Sequence, residues 1–171
     1  MSKNMAKSYD TVTTYAFPSD LDDADRNKIS QAINPLIADV FTLFIKTKNF
    51  HWHISGSHFR DYHLLLDEQA GQIFAMIDVL AERVRKLGKN TIHSISQIAQ
   101  LQKIKDNNKD YVAPQEMIEE LMNDNKKLIQ HMRLAHEVCD KGNDVATASL
   151  LENFIDETER RAWFLFETQI D

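Results

Sequence analysis

The sequence predicts an all-α chain: four long amphipathic helices packed as a bundle, with one long crossover connection that carries a short extra helix. Three observations predict it. Only 4 Gly and 3 Pro among 171 residues leave too few tight-turn residues for an all-β fold. Four stretches repeat apolar residues at alternating spacings of three and four, the period of a helix that buries one face. Residues 89–113 form a polar connection too long for a hairpin loop.

Taken in order, residues 1–20 are polar and aperiodic and read as a flexible arm, leaving 21–171 as a single bundle domain. Ser19 or Asp20 is placed to cap the first helix, whose stripe is Ile29, Ile33, Leu36, Val40, Leu43, Thr47 and Phe50. Pro35 inside that stripe predicts a kink, or a later start capped by Asn34. Ile54-Ser55-Gly56-Ser57 ends the helix, and Ser57 is placed to cap a second one running to about Lys86, closed by Gly88. The crossover has room for a helical turn or two around Ile95, Ile98 and Leu101. Pro114 opens the third long helix, with Met117, Leu121, Leu128, Met132, Ala135 and Cys139 on its apolar face. Gly142 closes it, Asp144 caps the fourth, and Leu151, Ile155, Thr158, Ala162 and Leu165 continue to the end.

Composition narrows the function. Hydrophobic residues make up 43% and charged residues 27%, a globular balance. No apolar run is long enough to span a bilayer, and the first residues lack the apolar core of a signal peptide, so a cytoplasmic location is expected. The single cysteine, Cys139, fits a reducing compartment and reads as core. A net charge of −6 opposes nucleic-acid binding by the body of the domain.

The chemistry concentrates on the second helix. His63, Asp67, Asp78 and Glu82 fall within about 100° of one another around its axis, so all four share one stripe. The rise from Asp67 to Asp78 is about 16 Å, too far for one ion to be held by both pairs. Two antiparallel copies of the helix remove the difficulty. About a two-fold axis, residue i faces residue j when i + j is constant, and His63–Glu82 and Asp67–Asp78 have the same total. The pattern predicts a homodimer with two equivalent shared sites, and His51, twelve residues before His63, is placed to complete each. Imidazole and carboxylate donors without thiolate suit Fe(II), Mn(II) or Zn(II). Carboxylates gathered at the edge of an apolar surface repel unless a cation neutralises them. The chain has no Glu-x-x-His, the motif of metal sites inside a single bundle.

His51-Trp52-His53, Gly56-Ser57-His58-Phe59, His63-Leu64-Leu65-Leu66-Asp67 and Asp78-Val79-Leu80-Ala81-Glu82-Arg83 together resemble the signature of the Dps family of mini-ferritins. The likeness covers about residues 22–168 and includes Ala162-Trp163-Phe164. It implies a ferritin-like four-helix bundle and a hollow shell of twelve subunits. It further implies ferroxidase sites at two-fold interfaces, with His51, His63 and Asp67 from one subunit and Asp78 and Glu82 from its partner. The activity implied is oxidation of Fe(II), preferably by hydrogen peroxide, with Fe(III) stored as mineral. Trp52 beside such a site has two readings, ordinary packing or an indole that supplies or traps a stray electron.

Two departures stand out. His53 replaces the Asn that usually follows His-Trp, and Ser149 replaces the second acid of the pattern Asp-x-x-Thr-x-Asp that lines an iron-entry pore. Asp144 and Glu152 remain as pore candidates, against readings as a helix cap and a solvated face. His58, His93, His131 and His136 read as structural or surface residues. A second function, DNA compaction through terminal arms, has only Lys3, Lys7 and the terminal amine to draw on, and twelve acidic chains would repel phosphate. A third, a zinc-loaded assembly without oxidase turnover, uses the same donors.

Overall fold

The computed structural model describes residues 18–170; Lys3, Lys7 and most of the expected arm lie outside them. The chain folds into α1 (Asp23–His53), α2 (Phe59–Lys86), the short α3 (Ile95–Leu101), α4 (Pro114–Lys141) and α5 (Val145–Glu167). No strand occurs among the described residues. α1 and α2 form one antiparallel pair and α4 and α5 the other. α1 also packs on α4, and α3 lies against α1.

The helix ends show which local signals act. Asp22, rather than Ser19 or Asp20, caps α1 by accepting the Ala24 N–H at 2.8 Å. Pro35 is carried inside an unbroken α1, so the later start at Asn34 does not occur. Asn34 is used elsewhere: its amide donates to the Asn90 carbonyl (3.1 Å) and its oxygen accepts from Thr91 (3.2 Å), tying α1 to the crossover. Ser57 makes no cap on α2. Gly56, at φ +103°, turns the chain so that its own carbonyl takes the Phe59 N–H at 3.1 Å. Gly88 (φ +73°) closes α2 and Asp144 caps α5, as the sequence predicts. Gly142 sits in a tight place, since a Cβ there would lie 3.0 Å from Ile29 Cδ1 and 3.3 Å from Asp25 Cβ.

The core runs the length of the bundle. Ile29, Ile33, Val40 and Leu43 of α1 meet Leu66, Ile73, Met76 and Leu80 of α2, with Leu128 and Met132 of α4 and Leu151 and Leu165 of α5. Cys139 is buried here, and burial pushes its thiol up to about 12, which makes it a poor nucleophile.

Polar pins fix the elements in register. Fully buried Asp39 accepts the backbone N–H groups of Lys103 (2.6 Å) and Ile104 (2.8 Å) and, on its other oxygen, His131 Nδ1 (2.9 Å). His131 is therefore structural. Buried Lys46 joins α1 to α4 through Glu120 (2.8 Å) and Asp124 (2.6 Å). Arg161 departs from the α5 stripe read from the sequence: it is almost fully buried where the spacing placed only apolar residues and Thr158. It donates to Asn125 (3.2 Å) and Thr158 (2.6 Å), and burial lowers its pKa to about 10.

Candidate metal centre

The α1–α2 hairpin is short, so the last turn of α1 returns against the first two turns of α2. That brings His51 and His63 face to face, ring centroids 3.8 Å apart and planes 24° from parallel. His51 Nδ1 lies 2.8 Å from the carbonyl of His63, and His63 Nδ1 lies 2.9 Å from the carbonyl of His51. A carbonyl only accepts, so each neutral ring carries its proton on Nδ1 and keeps the lone pair on Nε2. Both imidazoles are thus held in the tautomer that ligates a metal through Nε2.

Asp67, one α2 turn beyond His63, adds a carboxylate. Its Oδ1 stands 3.8 Å from His51 Nε2 and accepts a hydrogen bond from Lys48 Nζ at 2.7 Å. That bond holds the Asp67 carboxyl below its ordinary value, with the charge of Lys48 adding to it and burial opposing. Lys48 is the residue that sequence reasoning missed. It lies three residues before His51 on one face of α1, a spacing that a lysine facing water shares equally.

Asp78 and Glu82 are not brought to this cluster. Both are exposed farther along α2, and Glu82 lies 3.7 Å from Lys86 one turn on. Among the described residues no group of three or more His, Cys, Asp or Glu is placed to hold a metal ion. One chain therefore presents two imidazoles and a carboxylate at one end of a stripe, and two open carboxylates at the other. Exposed apolar residues of α1 and α2 include Ile45, Trp52, Leu64, Phe74 and Val79, of which Phe74 lies between the two ends on α2.

The other candidates are occupied. His53 bonds back to the Asn49 carbonyl at 2.8 Å, on its own helix and exposed. Asp144 is buried, capping α5 through the Thr147 N–H (3.0 Å) and pairing with Arg83 (2.7 Å). Glu152 is exposed and engaged by His136 Nε2 at 2.9 Å. Of the two pore candidates, Asp144 takes the cap reading, and its charge is already neutralised by a guanidinium.

The model of the ferritin-like domain matches residues 30–170. A low temperature-induced protein of Nostoc is 34% identical over 85% of this chain and 82% of its own length. Among solved structures, DpsC from Streptomyces coelicolor superposes with a TM-score of 0.89 at 28% identity, covering 93% of each chain. The Dps protein of Vibrio cholerae superposes with a TM-score of 0.83 at 27% identity, over 88% of this chain and 94% of that one. It is described as a member of a broad superfamily of ferritin-like diiron-carboxylate proteins. The fold defines a ferritin-like protein, and within that class the chain belongs to the Dps family of mini-ferritins.

Proposed function

We propose that this protein is an iron-storing ferroxidase whose sites are each built by two subunits, His51, His63 and Asp67 coming from one and Asp78 and Glu82 from the other. One observation carries the reading. His51 Nε2 stands 3.8 Å from Asp67 Oδ1 and the His63 ring stacks on His51 at one end of the α2 stripe, while the carboxylates that would complete the donor set are exposed at the other. The diiron-carboxylate superfamily of the Vibrio cholerae relative supports iron as the substrate.

Hard carboxylate oxygens favour Fe(III) over Fe(II), so the site makes iron easier to oxidise. Two Fe(II) ions give one electron each to one hydrogen peroxide. With two waters they yield two ferric oxyhydroxide units and four protons, and no hydroxyl radical is released. In this reading twelve subunits enclose the ferric mineral, and the protein guards a cytoplasm against peroxide and free iron. No described helix is long and apolar enough to cross a membrane. Trp52, 61% exposed in the single chain, is free to face a shared site as a trap for stray electrons.

The test adds Fe(II) anaerobically to metal-free protein, then hydrogen peroxide, recording ferric absorbance and radical yield. We expect consumption near two Fe(II) per peroxide with low radical yield, lost in Asp78→Ala/Glu82→Ala. Oxidation no faster than in buffer, from an intact assembly, would overturn the reading. Zinc that binds tightly without any oxidase turnover would replace it with the zinc assembly.

A further inference from the structure

Gly71 and Phe74 lie on the ligand stripe, between Asp67 and Asp78, and neither is explained by the single chain. Gly71 is exposed in the middle of α2, where glycine weakens a helix relative to alanine. A Cβ there would meet nothing within 4 Å, so no contact within the chain requires its absence. Phe74 is 57% exposed, yet its ring is held in place from below by Phe44, centroids 5.1 Å apart. A bulky ring set outward beside a gap is the shape of a contact with another molecule.

The register says which molecule. Residues 71 and 74 have the same total as His63–Glu82 and Asp67–Asp78, so the pairing that assembles the metal sites sets Phe74 against Gly71 of a second copy. Both lie within about 2–3 Å of the two-fold axis along the helix, where the two chains approach most closely.

We infer that Phe74 packs over the partner's Gly71, twice across the axis, and that this reciprocal contact fixes the register in which the two half-sites meet. The inference rests on the shared-site reading and names the packing that holds it.

The test is sedimentation of the full chain over a dilution series, beside circular dichroism and iron oxidation. Gly71→Leu improves α2 as a helix, so helicity and the folded chain should be kept or improved while assembly weakens by about tenfold or more. Gly71→Leu/Phe74→Ala, which returns the space, should recover most of that loss. Assembly unchanged in Gly71→Leu, with activity still lost in Asp78→Ala/Glu82→Ala, would overturn the packing and leave the shared site standing. Disassembled Gly71→Leu that oxidises iron at the wild-type rate would overturn the shared site while upholding the contact.

Discussion

Lys48 occupies the oxygen of Asp67 that an iron ion would need under the proposed function. The ammonium lies 2.7 Å from Oδ1 and keeps the carboxyl ionised below its ordinary value of 3.8. A depressed folded-state pKa adds stability above the unfolded value and loses it as pH falls through the folded one. At this exposed pair the effect is small. Binding is the better readout. Lys48→Met should return the Asp67 pKa towards 3.8, followed by NMR titration, and tighten zinc binding near neutral pH by up to about fivefold. An unchanged Asp67 titration would show that the ion pair does not form in solution. The imidazoles need no such partner. Their Nδ1 protons go to backbone carbonyls, which survive substitution of either side chain, so each ring holds its tautomer independently of the other.

At the scale of elements, the crossover is where the sequence is least legible and the structure most specific. Spacing alone places α3 near Ile95–Leu101 but says nothing of what holds 102–113 against the bundle. Asp39 does so, from a buried position on α1 sixty-odd residues away in sequence. Asp39→Ala strands two backbone donors, each worth about 1–3 kcal/mol when left unpaired inside a protein. We expect a fall of that size or more in urea-unfolding free energy, with helix content kept below the transition. Stability equal to wild type would mean that water replaces the carboxylate. Arg161 was illegible for a related reason. Helical spacing reports which positions face inward, and a basic residue read at face value is assigned to solvent. Only tertiary packing shows Asn125 of α4 waiting for the guanidinium, beside Thr158 one turn back on α5. Periodicity did place the four long helices, because their apolar faces are continuous, and the caps at Asp144 and Gly88 follow from local chemistry. The α1 cap falls at Asp22, two or three residues past the expected one, where several polar residues compete, and at the start of α2 a backbone turn at Gly56 takes the place of the expected Ser57 cap.

For the whole molecule, the functional unit we propose is larger than the chain. That His63, Asp67, Asp78 and Glu82 share one helical stripe was legible because helical geometry is simple enough to apply to residue numbers; the two-fold pairing read from the same numbers belongs to the proposed function. Lys48 was not, because nothing in spacing distinguishes a lysine that pairs with a ligand from one that faces water. The family assignment adds the fold and the class of chemistry. It leaves to experiment whether each site takes residues from two chains.

Complementation between two defective chains tests that directly. His63→Ala and Asp78→Ala/Glu82→Ala should each be inactive alone in peroxide-driven Fe(II) oxidation. When the two are co-expressed, half of the randomly formed dimers are mixed. Each mixed dimer has one site carrying every defect and one fully intact, so about a quarter of the wild-type rate should return. Mixed assemblies that stay as inactive as either variant alone would contradict a site shared across the two-fold axis.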